Sequence, residues 1–419
     1  MSKLVNQIVT TGLCIGCGLC QSVAGADNLR LVMTPQGVER PFPVTPLTPA
    51  AEAQIRVTCP GTEIHGLPYH AIDPKANRDT VWGYTLQINR GYAAEPDIRF
   101  RGSTGGVLTA LAIYLLESGR VNFILHVASD PEQPLRNKAH ISTTRADVLR
   151  AAGSRYGPAA PLSDFLALLE RQEPFAFIGK PCDISAIRNL AKQDARVNQY
   201  CLYLLTLVCG GVSELSKSWE ILDDFGISED ELSMIRYRGY GNPGPTRIET
   251  KDGRTFELTY NDLWEQESKW RIQSRCKICA DAIGEAADIA ASDVWQGGGP
   301  SGEDAGFNGI LARTRRGLDL VQAAVADGVL VLDKELTPRD MDAFQPHQVT
   351  KKEAVWARLQ ALREAGKLAP HTTGLRLEQL SKRRTAAEND AQKAGMRQRI
   401  DNGRFGEPEV TAKEERKQN

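Results

Sequence analysis

The chain has 419 residues, of which 41% are hydrophobic and 25% charged, with a formal net charge of −1 at pH 7. That length suits two or three domains with at least one large core, the composition is that of an ordinary soluble protein, and the charge balance speaks against general attraction to nucleic acid or anionic membrane. The first residues lack the apolar stretch of a signal peptide, and no apolar run reaches the roughly 18 residues of a membrane span, so a cytoplasmic protein is expected.

In chain order, the first distinctive stretch is "TGLCIGCGLCQSVAG", which carries Cys14, Cys17 and Cys20 as CxxCxxC. Residues 1–80 are rich in Pro and Gly and poor in periodic pattern, so they are expected to form a small domain organised by metal. Residues 81–345 alternate strand and helix patterns. "STGGVLTALAIYLLESG" predicts a helix capped by Ser103 or Thr104 and stopped at Gly119. "VNFILHV", "FAFIG", "YCLYLLTLV", "AADIAASDVW" and "NGILARTRRG" read as strands, and "LDLVQAAVADG" as a helix. "TRIETKDGRTFELTY" reads as a hairpin about Asp252-Gly253. The expected fold class is α/β, with the hairpin making the sheet mixed. The extension 346–419 becomes strongly charged from about residue 375 and reads as a solvated helix or a disordered tail.

Nine cysteines in a reducing compartment favour metal or cluster ligation over disulfides. CxxCxxC wraps an edge of a cubane cluster, and Gly16 and Gly18 permit the tight turns this needs. The run lacks a fourth cysteine close behind it. Cys59, directly before Pro60 in "RVTCPG", is the candidate, because proline turns the chain away from a cluster. Cys14, Cys17, Cys20 and Cys59 therefore suit a 4Fe–4S cluster better than zinc, which favours paired CxxC knuckles. Of the other five, Cys201 lies within an apolar strand and reads as core. Cys182, Cys209 and the CxxC of Cys276 and Cys279 form a candidate second cluster, or a zinc CxxC beside two buried thiols. Cys182 and Cys209 follow strands, so both fall on one sheet edge, where α/β proteins bind ligands.

Gly105 and Gly106 open a helix, where free N–H groups can hold phosphate, with Ser103 and Thr104 as hydroxyl donors. A plain helix cap fits the same residues. Ser154, Arg155 and Tyr156 lie on a Gly-flanked loop that suits a phosphate and a flat ring, or is only a turn. Lys180 of "GKPCD" completes the candidate cofactor-binding set. His126 is the candidate proton donor, with a satisfied core histidine as the other reading. Asp288 and Asp293 need partners in a buried strand. The GxGxxG string at Gly297, Gly299 and Gly302 contains Pro300 and precedes no helix pattern, so it reads as a flexible loop and not a dinucleotide fingerprint.

The ordered set "GSTGG", "AAGSRYGP", "GKPCD", "LVCGGVS", "RYRG", "CKICADAIGEAADIAASDVW" and "GFNGILARTRRG" resembles the coenzyme F-420 hydrogenase/dehydrogenase beta-subunit family. The finer likeness is to its branch of 7-hydroxymethyl chlorophyll a reductase and divinyl chlorophyllide 8-vinyl reductase. The resemblance implies FAD in the α/β domain near Ser103–Gly106 and Ser154–Tyr156, with two 4Fe–4S clusters on the eight cysteines feeding it. On this reading a ferredoxin-like donor passes electrons through the clusters to FAD, which delivers a hydride to an unsaturated small-molecule substrate. Two alternatives are a deazaflavin-linked oxidoreductase and an electron-transfer beta subunit of a larger redox complex; a homo-oligomer is also compatible. A zinc-stabilised binding protein is the non-redox rival.

Overall fold

A computed structural model describes residues 2–264, 271–412 and 414. At its centre is an eight-stranded sheet with the spatial order Leu330–Glu335, Gln87–Ala93, Asn308–Ala312, Ile289–Asp293, Cys201–Leu207, Phe175–Gly179, Phe123–Ser129, Asn137–Ser142. The four strands from Ile289–Asp293 to Phe123–Ser129 run parallel to one another. Antiparallel strands flank them on both sides. The sheet is thus mixed, as expected, but for a different reason. The hairpin Thr246–Thr250 and Thr255–Leu258 does form about Gly253, yet it joins Leu232–Arg236 in a separate three-stranded sheet. Local turn chemistry specifies a hairpin; which sheet it joins is set by packing of Ile235, Ile248 and Leu263.

The helix Val107–Glu117 follows the predicted pattern and buries Val107, Leu111 and Leu115 against the sheet. Its N-cap is Gly106 at φ +71°, without a side-chain cap, so Ser103 and Thr104 do not cap it. Crossovers Pro181–Leu190 and Ser216–Asp224 follow the strands that end at Gly179 and Leu207. Parallel strands with helical crossovers put their loops, and the residues in them, on one edge.

The N-terminal residues share a core with the C-terminal ones. Leu4, Val5, Ile8 and Leu13 pack with Val355, Leu359, Leu362, Leu375, Met396, Phe405 and Val410. The charged extension forms helices Pro346–Glu364 and Ala386–Asp401, and its last residues, 415–419, lie outside the described ones. A few well-placed apolar residues hold it: Met396 is buried although most of its helix faces water. Among the described residues no helix is long and apolar enough to cross a membrane.

Candidate functional site

Cys14, Cys17, Cys20 and Cys59 converge on one apolar cavity of about 30 Å³, walled by Val5, Ile8, Ile15, Leu31 and Ile55. The backbone explains the convergence. Gly16 and Gly18 take positive φ, and a Cβ on either would strike neighbouring chain, at 2.6 Å from the Glu39 carbonyl oxygen and 2.3 Å from Ser163 Oγ respectively. The Gly16 amide donates to Cys14 Sγ and the Gly61 amide to Cys59 Sγ, both at 3.3 Å. Burial pushes all four thiols up, Cys59 to about 11, and the charges of neighbouring sulfurs push the same way: Cys17 by Cys59 and Cys20, Cys20 and Cys59 by Cys14. Without a metal these sulfurs stay protonated; bound iron or zinc is what makes four thiolates tolerable here.

Cys182, Cys209, Cys276 and Cys279 form a second such group. Cys182 sits in the first turn of its helix, Cys209 two residues past a parallel strand, Cys276 on the turn Ser274–Ile278 and Cys279 at its C-terminal cap. Burial raises Cys182 and Cys279, and Cys209 to about 12; the charges of Cys209 and Cys279 reinforce Cys182, and those of Cys276 and Cys279 reinforce Cys209. Cys201, inside its strand, belongs to neither group: it packs in the core with Phe175 and Leu204.

Cations fill the space between the two groups, and spacing rules gave no sign of most of them. Arg40 is buried, and the charges of both Cys14 and Cys276 favour its charged form. Its guanidinium donates to Glu407, to Gln273 Oε1 at 3.1 Å and to the Glu39 carbonyl at 2.8 Å. Arg275, also buried, donates to the carbonyls of Pro60 and Ile278 at 3.2 Å and draws down both Cys59 and Cys279. Lys180 pairs with buried Asp183 at 2.8 Å. Burial opposes its charge, but Asp183, Cys182 and Cys209 hold its ammonium above the usual lysine range. Lys180 is therefore beside the second cysteine group.

The glycine loop lies at the same sheet edge. Register sets Leu207 beside Ala291, and the Val208 amide donates to the Ala291 carbonyl at 2.8 Å, so Cys209 comes level with Asp293. The turn into the helix Pro346–Glu364 ties the two: Gln348 Nε2 donates to the Cys209 carbonyl and Gln345 Nε2 to the Asp293 carbonyl, both at 2.9 Å. Asp293 receives two bonds from Arg238, at 3.2 and 3.3 Å. Arg238 also donates to the Ser103 carbonyl at 2.7 Å and stacks over Trp295 at 4.7 Å. Ser154 donates to Ser103 Oγ through its amide at 2.9 Å and its hydroxyl at 2.7 Å. Gly105 has no room for a Cβ, which would lie 2.8 Å from the Asn308 nitrogen and 2.9 Å from the Gly91 carbonyl oxygen. Asn308 Oδ1 accepts the Val107 amide at 3.3 Å.

Ser103, Thr104, Gly105, Gly106, Ser154 and Tyr156 are thus brought together, with Arg238 and Asn308 as partners. The signal for Arg238 was present in "RYRG". Arg155 differs from expectation. It is turned inward, donating to Asn137 and to the carbonyls of Pro134 and Ile235 at 3.0 and 3.3 Å, so its donors already have protein partners. Tyr156 packs edge-on against Trp264 and Tyr237 at 4.9 and 5.7 Å. The expected proton-donor role of His126 finds no support in its surroundings. Burial, then His140, lowers His126 to about 4, and its Nε2 bonds Ser142 Oγ at 2.8 Å. It is neutral at pH 7, carries no acidic proton to give, and reads as a satisfied core histidine.

Polar atoms around the glycine loop lack partners among the described residues: Arg99 Nη2, Arg238 Nε, Ser292 Oγ and Trp295 Nε1 are buried and unpaired. Such orphans carry a cost unless a polar ligand bonds them. The residues present therefore fit a polar, anionic cofactor, and the two cysteine groups fit iron–sulfur clusters.

Two family models match consecutive parts of the chain. Both describe the beta subunit of coenzyme F420 hydrogenase/dehydrogenase, its N-terminal part at residues 88–167 and its C-terminal part at residues 172–337. An uncharacterised protein of Methanocaldococcus jannaschii is 25% identical over 373 residues, covering 84% of this chain and 97% of that protein. The F420-dependent formate dehydrogenase 1 subunit beta of Methanococcus maripaludis is 29% identical over 60% of this chain and 62% of its own length. The coenzyme F420-dependent sulfite reductase of M. jannaschii is 24% identical over 76% of this chain but only 47% of its own length. The chain thus spans less than two thirds of both F420-dependent relatives. These relatives do not support the finer likeness to chlorophyll reductases.

Proposed function

The chain belongs to the coenzyme F420 hydrogenase/dehydrogenase beta-subunit family, and from that premise we propose that it is an oxidoreductase subunit exchanging electrons with a deazaflavin coenzyme through two 4Fe–4S clusters and FAD. The observation that carries this reading is continuity. The first cysteine group, the Arg40, Arg275 and Lys180 cations, the second cysteine group, Asp293 with Arg238, and the glycine loop adjoin one another in that order. When bound, the clusters supply one-electron steps and FAD couples them to a two-electron exchange.

The chain's own residues hold and tune that arrangement. Cys14, Cys17, Cys20 and Cys59 ligate the outer cluster, and Cys182, Cys209, Cys276 and Cys279 the inner one. The Gly16 and Gly61 amides and the buried guanidinium groups stabilise negative charge on sulfur, which raises the reduction potential. Asp293 orients Arg238. Gly105 and Gly106 let backbone approach the cofactor, and Arg99 and Arg238 supply charge for its phosphates. Apolar walls about the first group exclude water. The F420-linked relatives favour this reading over the ferredoxin-fed reductase of an unsaturated substrate, and a relative named as a subunit favours work within a larger complex.

The test is anaerobic isolation followed by iron, sulfide and flavin analysis, then mixing with reduced deazaflavin coenzyme. About eight irons and one FAD per chain are expected, with the flavin bleached by the coenzyme without ferredoxin. Reduction by ferredoxin alone would restore the ferredoxin reading, and absence of both iron and flavin would end both. Arg238→Leu should lose flavin while keeping its iron.

A further inference from the structure

A few residues beyond Cys59 lies a cluster that the electron path does not use. The strand Glu63–His65 pairs in parallel with His371–Thr373, the register setting His371 beside Glu63 and Thr373 beside His65. The Thr62 carbonyl accepts the His371 amide at 2.7 Å, and the Thr373 carbonyl accepts the Gly66 amide at 2.9 Å, so the main chain fixes the pairing at both ends. Alternation turns Ile64 into the core at 2% exposure and leaves Glu63 and His65 together on the outer face. Glu63 Oε2 lies 3.2 Å from His65 Nε2 and 3.0 Å from His371 Nδ1. One nitrogen or oxygen from each residue falls within a 4.8 Å group.

We propose that Glu63, His65 and His371 form a binding site for a divalent first-row transition ion, with zinc the expected occupant, which staples the C-terminal segment to the chain just beyond Cys59. The donor set is two imidazoles and one carboxylate, the borderline nitrogen–oxygen combination that zinc and its neighbours accept. Bonds of about 2.0–2.2 Å at tetrahedral angles need ligand atoms about 3.3–3.5 Å apart, and the carboxylate already stands near that distance from both nitrogens. Imidazole ligates a metal as the neutral ring, so the set offers a dication one anionic and two neutral donors. His65 is suited to this: burial, then Lys192, lowers its pKa, against the opposing pull of Glu63. Support behind the ligands is also in place. Asn189 Nδ2 donates to the Glu63 carbonyl at 2.9 Å and accepts from Lys192 at 3.4 Å through Oδ1, which fixes the strand and the lysine. His371 is 69% exposed, so the ion would keep an open fourth position to solvent.

An ion here would join two segments more than 300 residues apart in sequence. Leu375 and Leu377, just past the strand His371–Thr373, pack in the same core as Cys14 and Val5, so holding that strand steadies the wall of the cavity. The test uses tag-free, anaerobically isolated protein treated with a mild chelator, dialysed and titrated with zinc chloride, with iron measured throughout. One zinc per chain is expected without loss of iron, together with a rise in melting temperature. His371→Ala and Glu63→Gln should each weaken zinc binding at least tenfold and abolish the thermal shift, their iron content unchanged. Cobalt(II) should give a visible absorption band in the parent protein that is absent from His371→Ala. Equal zinc affinity in the parent and both variants, uptake only with matching iron loss, or no uptake would each overturn the site. Because these outcomes are read with the clusters intact, they are independent of whether the deazaflavin reading stands.

Discussion

Cys14, Cys17 and Cys20 come from one short run and only Cys59 is brought from elsewhere, whereas Cys182, Cys209, Cys276 and Cys279 arrive on three separate segments. The first group owes its geometry to local turns at Gly16 and Gly18, but borrows its burial from Val355, Leu375 and Phe405. The second group owes its geometry to the sheet itself, since strand ends at Gly179 and Leu207 carry two of its members. A locally encoded site can therefore be lost without disturbing the fold, while a site encoded by topology shares its supports with the sheet edge.

Paired serine substitutions test that difference most sharply. Cys59→Ser should lose about four of about eight irons and leave flavin bound. Cys209→Ser should lose about the same iron and in addition weaken flavin binding, because Cys209 is level with Asp293 and both are tied by Gln345 and Gln348. Iron and flavin analysis of the two anaerobic proteins decides it, and equal flavin retention would erase the distinction.

The next largest effect is expected where the groups meet. Arg40 is 1% exposed and its partner Glu407 15% exposed. Arg40→Met leaves Glu407 without its partner and should cost about 3–5 kcal/mol in urea unfolding, as removal of one member of a buried pair does. Adding Glu407→Gln should recover part of that loss if the pair is coupled as drawn. No recovery would mean that Arg40 acts through Gln273, the Glu39 carbonyl and the sulfurs.

These contacts mark where sequence stops being informative. The CxxCxxC run, the Cys59-Pro60 pair, the strand–helix units after Phe175 and Cys201, and the Gly105-Gly106 helix start were legible because spacing and turn chemistry are local. Arg40 and Glu407 are 367 residues apart, and nothing in "VERPFP" or "RFGEPEV" marks either as buried. The hairpin about Gly253 was legible as a hairpin but not as part of a second sheet, because register with Leu232–Arg236 is a tertiary fact. Arg155 had the residue type for a phosphate contact, yet the carbonyls of Pro134 and Ile235 and the amide of Asn137 take its donors. Residue type gives capability; only packing decides which partner uses it.

A smaller effect is expected at Glu39, beside Arg40. Burial raises its carboxyl to about 7, although Lys180, Arg40 and Arg136 pull it down, and its Oε2 has no partner among the described residues. A folded-state pKa above the unfolded value means that the native state holds the proton longer. Stability should then fall as pH rises from about 4.5 to 7 and level off above that. Glu39→Gln removes this slope and should be more stable than the parent by about 1–3 kcal/mol at pH 8, with little difference at pH 4. Urea midpoints at the two pH values check this, and an unchanged slope would place the titration elsewhere.

The smallest effect is expected at His126, which lies outside both cysteine groups and serves as their control. Its ring is held by Ser142 on the neighbouring strand and faces His140 at 5.5 Å. His126→Gln should cost about 1 kcal/mol at pH 7 through the altered Ser142 bond and leave the pH profile of electron exchange with the deazaflavin coenzyme unchanged. Its stability profile should move. The folded pKa of about 4 lies below the unfolded value of about 6.5, so the unfolded chain takes up the proton first and the parent loses stability as pH falls through that interval. The glutamine variant has no such proton to gain, and its acid transition should be shallower there. A loss of exchange activity with stability intact would instead restore His126 as a group that acts on the bound cofactor, and would move the reacting centre to the strand pair at the other edge of the sheet.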